Sequence, residues 1–181
     1  MRPPTLNAII SANTRIRNSE YFAVGQNSII DDFCYFSTKV KIGFSCHIAS
    51  CCTIAGGLRF TFDLGDYSSL SSGVKIWCSS NNFANDLVII QPPNLNLINA
   101  HSIEGNVSIG PYSGVGANTV IMPGNIIPEG TAIGALSFVP HEYSFKPWSV
   151  YAGAPIQLIG SRNRRNVLRQ VAQLNSYFGR G

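Results

Sequence analysis

The sequence predicts an all-β protein, a triangular coil of parallel strands with one long protruding loop and one short C-terminal helix. Two observations carry this prediction: aliphatic residues recur every six positions, and mostly small residues stand four positions after them. A six-residue period fits neither a helix nor a simple strand, which repeat every 3.6 and 2 residues. It fits a chain that makes one flat strand and one corner per repeat, so that three repeats close one triangular turn.

The repeat is clearest between residues 103 and 139. The aliphatic positions are Ile103, Ile109, Val115, Ile121, Ile127, Ile133 and Val139. The positions four residues later are Val107, Ser113, Thr119, Asn125, Thr131 and Ser137. We expect the large residues to point into the coil and the small ones to pack near its corners. Glycine or asparagine then takes the tight backbone of each corner.

The same rhythm runs through the N-terminal half. It starts at Ile10, Ile16 and Phe22, slips by two residues, and resumes at Val24, Ile30, Phe36, Ile42, Ile48 and Ile54. After a short predicted loop over 55–63 it continues at Leu64, Leu70 and Ile76. Each buried aliphatic contributes roughly 1.5–3 kcal/mol of transfer free energy. A stack of them can therefore hold the coil together.

Residues 77–102 break the period and include Pro92, Pro93 and several asparagines. A long excursion within a compact repeat is usually functional, although a tolerated insertion is the alternative. We therefore predict one β-helical domain over 1–160, with its loop at 77–102.

A helix is predicted over 161–181, with Ser161 as its N-cap. Val167, Leu168, Val171 and Leu174 lie at helical spacing in this segment. We expect this apolar stripe to pack on the coil or on a partner subunit.

Composition excludes several classes of function. The chain has 181 residues, 12% of them charged, with a net charge of +4 and no nucleic-acid recognition motif. The five cysteines lack paired CxxC spacing, so neither a metal site nor a disulfide framework is predicted. There is no apolar stretch long enough to span a membrane and no signal peptide. We expect a reduced, cytoplasmic setting.

Three segments carry a family resemblance: GVGANTVIMPG from residue 114, IGALSFV from residue 133 and YAGAPIQLIG from residue 151. With the repeat, they make the chain resemble the hexapeptide-repeat acyltransferases, whose fold is a left-handed parallel β-helix. The likeness is greatest to bacterial sugar acetyltransferases. It implies acetyl-CoA as co-substrate and a nucleotide-linked sugar as acceptor, in surface-polysaccharide (O-antigen, lipopolysaccharide or capsule) biosynthesis. It also implies a homotrimer with active sites between adjacent coils, which the long loop reaches.

Acetyl transfer needs a group that takes a proton from the acceptor, and histidine is the usual base near neutral pH. His47, within GFSCHIASCC, is the first candidate, because related acetyltransferases carry a similar HIA or HIS motif in the acetyl-CoA cleft. We place His47 at a coil corner; contact with the thioester without proton transfer is the alternative. His101, at the end of the long loop, is the second candidate. His141 is assigned a surface or capping role.

The chain departs from the family pattern in two places. A His-Asp pair often precedes the HIS motif by one coil in the amino-sugar N-acetyltransferases, but here the position reads Ser37-Thr38-Lys39. The galactoside- and maltose-type O-acetyltransferases have their catalytic histidine where this chain has residues 80–83, Ser-Asn-Asn-Phe. An uncharged amine attacks a thioester unaided, whereas an alcohol needs more help. We therefore favour N-acetylation over O-acetylation.

The sugar and the cofactor each have candidate residues. For the sugar these are Asn81, Asn82 and Asp86. For the cofactor, the resemblance implies a slot for the pantetheine arm along small residues. The matching positions are Gly116, Ala117, Gly134, Ala135, Ala152 and Gly153. Small residues required only by tight corners are the alternative.

Lys146, Arg162 and Arg165 are candidates for the phosphates of coenzyme A. A solvated arginine-rich helix face is the alternative for the two arginines.

Two rival functions remain. A γ-class carbonic anhydrase uses the same fold but needs three histidines around zinc, and His47, His101 and His141 lack the close pair that this class uses. A non-enzymatic β-helical scaffold would explain the missing His-Asp pair. The small residues at Ala117 and Ala135 argue against it.

Overall fold

A computed structural model describes residues 7–83 and 102–180. The first half of the coil contains twelve strands: β1 Ile9–Ile10, β2 Arg15–Ile16, β3 Phe22–Val24, β4 Ile29–Ile30, β5 Tyr35–Phe36, β6 Lys39–Ile42, β7 His47–Ile48, β8 Thr53–Ala55, β9 Thr61–Leu64, β10 Ser69–Leu70, β11 Lys75–Trp77 and β12 Ser79–Asn81.

The second half contains nine: β13 Ser102–Glu104, β14 Val107–Ile109, β15 Gly114–Val115, β16 Val120–Ile121, β17 Ile126–Ile127, β18 Ala132–Ile133, β19 Phe138–Val139, β20 Ser149–Ala152 and β21 Gln157–Ser161. A 3-10 turn covers Ser19–Tyr21, and one helix, α1, covers Arg164–Phe178.

All strands except β12 and β13, which pair with each other, form three sheets, and these sheets are the three faces of a parallel β-helix. Face A contains β1, β4, β7, β10, β15, β18 and β20 in that order, with β21 added antiparallel to β20. Face B contains β2, β5, β8, β11, β16 and β19, and face C contains β3, β6, β9, β14 and β17. The chain turns from face A to face B to face C in each coil.

The repeat positions stack inside the coil. On face A, Ile30 pairs with Ile48, Ile48 with Leu70, and Val115 with Ile133. Nearly all of the repeat aliphatics from Ile30 onward are fully buried. The two-residue slip is confirmed but lies before Phe22, because Ile16 pairs with Phe36, twenty residues later, while Phe22 pairs with Val40, eighteen residues later.

The small positions are buried and hydrogen-bonded, as expected for polar groups inside a core. Thr119 Oγ1 donates to the carbonyl of Gly134 at 3.0 Å, one coil further on. Asn125 Nδ2 donates to the carbonyl of Pro140 at 2.9 Å, and Asn125 Oδ1 accepts from the backbone N–H of Tyr143. These side chains tie each coil to the next one.

Three predicted boundaries were wrong. Ile103 lies in β13, which pairs antiparallel with β12, so it is not a coil position. The loop predicted over 55–63 is shorter, because β9 begins at Thr61 and its Phe62 pairs with Val107. The long excursion begins later than residue 77, since Trp77 pairs with Ala55 in face B and Cys78 is fully buried.

The helix also differs from the prediction at its start. Ser161 is the last residue of β21, and the N-cap is Asn163, whose side chain accepts from the backbone N–H of Asn166 at 3.1 Å. Of the predicted stripe, Val171 is buried whereas Leu174 is 39% exposed. The helix packs on the C–A corner, the turns that lead from face C to face A.

Aromatic residues of the C–A corner receive the helix. Phe44 meets the ring of Phe178 with 5.3 Å between centroids, and Tyr67 Oη donates to Asn175 Oδ1 at 2.6 Å. Tyr67, Tyr112 and Trp148 stack along the corner, and each takes a left-handed backbone conformation. The helix thus covers one of the three corners.

Candidate active site

The A–B corner, where the chain leaves face A, carries six of the nine candidate cofactor residues. The residues that directly follow the face-A strands β4, β7, β10, β15 and β18 are Asp31, Ala49, Ser71, Gly116 and Gly134, and Ala152, the last residue of β20, continues the series. The backbone N–H of each of the first five donates to a carbonyl one coil further on. That carbonyl belongs to the residue immediately before the next member of the series. The corner is therefore a straight column parallel to the coil axis.

His47 lies at the N-terminal end of this column. It belongs to strand β7 and not to the corner itself, which corrects the predicted position. Successive strand residues point to opposite faces, so the buried Ile48 turns the His47 side chain outward. Its imidazole is half exposed and accessible to a ligand.

Asp31 is the partner of His47. The Asp31 Oδ2 and His47 Nε2 atoms are 2.9 Å apart, with both side chains roughly half exposed. We did not predict this pair, because the expected motif has a histidine and an aspartate side by side in the chain. Asp31 stands sixteen residues earlier, and the two meet only when β4 stacks on β7. The coil period could have revealed Asp31, since it occupies the position of Ala49 one coil before.

The predicted cofactor residues form a continuous stack further along the same corner. Strand β15 pairs with β18 and β18 with β20, which confirms the predicted vertical arrangement eighteen residues apart. Gly116, Gly134 and Ala152 form the inner row of this stack. Ala117, Ala135 and Gly153 follow them as an outer row.

The two rows are small for different reasons. A Cβ atom on Gly116 would clash with the backbone of Ala135, and one on Gly134 would lie 2.9 Å from the Cβ of Ala152. Coil stacking therefore requires glycine at these two positions. This agrees with the alternative interpretation, in which the residues are small because the corners are tight. Ala117 is half-buried and Ala135 is exposed, so their side chains line open surface. The outer row remains the candidate floor of the slot.

His47 and the slot are close enough to serve one extended ligand. Strand β10 is the only strand between β7 and β15 on face A. Neighbouring strands are about 4.8 Å apart, so His47 lies roughly 10 Å below Gly114 along the coil axis. The outward residues between them and beyond are small: Ser69, Gly114 and Ala132.

The candidate phosphate ligands lie elsewhere. Arg162 Nη1 donates to the carbonyls of Tyr112 and Gly130, at the C–A corner. Partial burial of the Arg162 guanidinium lowers its pKa. Lys146 and Arg165 are exposed, and Lys146 anchors its loop through its backbone N–H to Tyr151 Oη at 2.7 Å. Within one chain, face A separates these residues from the A–B corner.

The candidate sugar ligands are also distant from His47. Asn81 ends β12, is exposed, and pairs with Ser102 at the base of the hairpin, which leaves the coil after face B. Asn82 is half-buried beside it. Asp86 and His101 lie outside the described residues.

His141 does not belong to the site. Its Nδ1 atom lies 2.8 Å from the carbonyl oxygen of Pro123, at the corner between faces B and C. Within residues 7–83 and 102–180, no cluster of three metal-ligating side chains is present. That part of the chain also contains no helix long and apolar enough to cross a membrane.

Comparison with known proteins gives related enzymes along nearly the whole chain. The chain is 31% identical over 175 residues to the dTDP-4-amino-4,6-dideoxy-D-glucose acyltransferase of Escherichia coli, covering 95% of this chain and 85% of that protein. No family model matches the present chain.

Solved structures give the same result. The N-acyltransferase AntD of Bacillus cereus, in complex with dTDP and 3-hydroxybutyryl-CoA, superposes with a TM-score of 0.84 at 30% identity, over 94% of this chain and 88% of AntD. Its S84A mutant, in complex with dTDP-4-amino-4,6-dideoxyglucose and coenzyme A, gives a TM-score of 0.82 at 28% identity, over 95% and 92% of the two chains.

A maltose O-acetyltransferase of Clostridium difficile shares the fold, with a TM-score of 0.61 at 21% identity, over 81% of this chain and 73% of that one. The predicted left-handed parallel β-helix is thereby confirmed.

Proposed function

This chain belongs to the β-helical sugar acyltransferases, the family of the E. coli dTDP-amino-sugar enzyme, and we propose that it transfers an acyl group from an acyl-CoA thioester to the amine of a nucleotide-linked amino sugar. The single observation that supports a working site is the arrangement on the A–B corner. An outward histidine paired with a carboxylate stands on the same column as a small-residue slot. A scaffold protein needs neither feature.

The reaction follows from the chemistry of the two substrates. The neutral acceptor amine attacks the carbonyl carbon of the thioester, a C–N bond forms, and the C–S bond breaks. The amine loses one proton, which His47 accepts and then returns to the departing thiolate of coenzyme A. The slot contributes positioning, which holds the thioester carbon near the amine.

The acceptor to test first is dTDP-4-amino-4,6-dideoxyglucose, because the E. coli relative is named for this sugar and the AntD mutant binds it. The donor is acetyl-CoA in our prediction. A 3-hydroxybutyryl thioester is the alternative that the AntD complex suggests. The product would enter surface-polysaccharide synthesis, such as O-antigen, lipopolysaccharide or capsule.

A homotrimer would explain why the candidate binding residues lie on different corners of one chain. Within one chain the sugar and phosphate candidates stand on corners other than that of His47. An adjacent subunit could bring its Asn81, Lys146 or Arg165 to the A–B corner of the first. We therefore propose a cytoplasmic homotrimer, and the five free cysteines suit a reducing compartment.

Calorimetric titration with coenzyme A, followed by an acyl-transfer assay, tests the function. We expect saturable binding and N-acylation of the amino sugar, with the matched 4-hydroxy sugar as the control acceptor. Faster acylation of the hydroxy sugar would favour the O-acyltransferase alternative. No binding of coenzyme A at millimolar concentration would favour the scaffold alternative.

Replacing His47 tests the role of the base. We expect His47→Ala to lower kcat by about 10²–10⁴, because general-base catalysis contributes that much. The matched control is His141→Ala, whose imidazole lies against the Pro123 carbonyl on another corner and should leave kcat unchanged. Steady-state kinetics with saturating acyl-CoA measure both variants. Equal kcat values for the two variants would remove His47 from the mechanism.

A further inference from the structure

We propose that Asp31 is a positioning residue that fixes the tautomer of His47, so that the atom accepting the proton during acyl transfer is Nδ1. The inference rests on the proposed role of His47 as the base. It adds a second residue and a specific nitrogen atom, neither of which the sequence motif indicates.

The tautomer follows from the contact. An ionised carboxylate has no proton to donate and only accepts hydrogen bonds. The 2.9 Å contact between Asp31 Oδ2 and His47 Nε2 therefore requires the hydrogen atom on Nε2. A neutral imidazole carries one hydrogen, so its lone pair is on Nδ1. Among the described residues, Nδ1 has no hydrogen-bond partner.

Neighbouring strands hold both members of the pair in place. The backbone N–H of Asp31 donates to the carbonyl of Ile48 at 2.9 Å, and the backbone N–H of His47 donates to Ser68 at 3.1 Å. The Asp31 and His47 side chains are diagonal neighbours across the β4–β7 ladder. The ladder therefore sets their separation.

Asp32 provides an internal comparison. Its carboxylate accepts hydrogen bonds from the Ser11 hydroxyl and, at 3.0 Å, from Asn13 Nδ2. These two bonds lower the pKa of Asp32. Two adjacent carboxylates thus have separate partners, and only Asp31 meets the imidazole. Asp32→Ala is therefore a matched control for Asp31→Ala.

The pair has a defined role in the reaction. When the acceptor amine loses its proton to Nδ1, the imidazole becomes an imidazolium that carries hydrogen atoms on both nitrogens. The Asp31 carboxylate stays ionised and stabilises that cation. Nδ1–H then donates its proton to the sulfur of the departing thiolate, and the original tautomer is restored. A side-chain contact this exposed contributes little to folding stability, so its loss should affect turnover more than folding.

The first measurement needs no substrate. Nitrogen-15 NMR of histidine-labelled protein distinguishes the two tautomers, and the His47→Ala spectrum assigns the signal. We expect the Nε2–H form in the unmodified protein and a mixture of both forms in Asp31→Ala. A dominant Nδ1–H form in the unmodified protein would overturn the proposal.

The second measurement is kinetic. We expect Asp31→Ala to lower kcat by about 10²-fold, within the range that a general base contributes, and to leave the KM for acyl-CoA within about threefold. Asp32→Ala should retain full activity. If Asp31→Ala does not fold, Asp31→Leu takes its place, because leucine has a similar size and accepts no hydrogen bond from Nε2–H.

The outcomes separate the two proposals. Full kcat in the Asp31 variants together with a large loss in His47→Ala would overturn the role of Asp31 and leave the base intact. Full kcat in His47→Ala would overturn the base itself. A protein that acylates no amino sugar would contradict the proposed function, and the NMR measurement would still report on the pair.

Discussion

At the scale of single residues, the A–B corner shows that small side chains can be required for two separate reasons. Gly116 is needed by the fold, because any Cβ atom there meets the backbone of the next coil. Ala117, one residue later, is half-buried and borders open surface. Sequence alone presents the two as one Gly-Ala motif. The structure separates them: Gly116 is a stacking residue, and Ala117 is the candidate slot residue.

Substitution at these two positions tests the division. We expect Ala117→Leu to weaken coenzyme A binding at least tenfold, because the longer side chain fills the slot, with little change in stability. Gly116→Ala should instead lower the free energy of unfolding, since its methyl group clashes with Ala135. Calorimetric titration and urea denaturation measure the two quantities. Unchanged binding by Ala117→Leu would mean that the pantetheine arm lies elsewhere.

At the scale of elements, the C-terminal helix depends on its ends and on one buried face. Asn163 caps the N-terminus, and Gly179 ends the helix in a left-handed conformation. The buried face is narrow: Val171 is buried, Asn175 bonds Tyr67, and Phe178 packs on Phe44. The position of the cap was predicted two residues early because β21 extends to Ser161, and nothing local distinguishes Ser161 from Asn163 as a cap.

The cap can be tested directly. Asn163→Ala should lower the free energy of unfolding by about 1 kcal/mol, since the backbone N–H of Asn166 loses its acceptor. Ser161→Ala should change it by less than about 0.5 kcal/mol, because Ser161 is an exposed strand residue. Urea denaturation of both variants provides the measurement. A larger loss from Ser161→Ala would restore the original interpretation.

At the scale of the whole molecule, the coil buries thiols that stay protonated when the chain is folded. Burial raises the pKa of Cys78 to about 11, against 9.0 for an unperturbed thiol. Burial also raises the pKa of Cys46. Cys51, in contrast, is exposed. The unfolded chain therefore ionises Cys46 and Cys78 at lower pH than the folded chain does.

This difference predicts alkaline destabilisation. The contribution of Cys78 is fully present below about pH 9 and is lost as the pH rises to about 11. The free energy of unfolding should fall by up to about 1.4 kcal/mol per pH unit for each such thiol. Cys78→Ala should flatten this dependence, and Cys51→Ala should leave its slope unchanged. Urea unfolding between pH 8 and 10.5 would measure it, and equal slopes in all three proteins would contradict the prediction.

The sequence by itself determined the coil, its buried positions and the vertical alignment of Gly116 with Gly134. A period of six is a local pattern, and each repeat specifies which side chains turn inward. It also indicated His47, through a short motif, and the helix, through its apolar spacing.

Only the tertiary structure decided which residues meet between coils. The slip between Ile16 and Phe22, the turn at 56–60 and the long loop after Asn81 each change the number of residues per coil. The contact of Asp31 with His47 is a diagonal one between neighbouring coils, and it forms only when β4 stacks on β7. The separation of the Arg162 guanidinium from the slot depends on which corner the chain reaches after β21. Local patterns do not encode these contacts, because they arise from the stacking of whole coils.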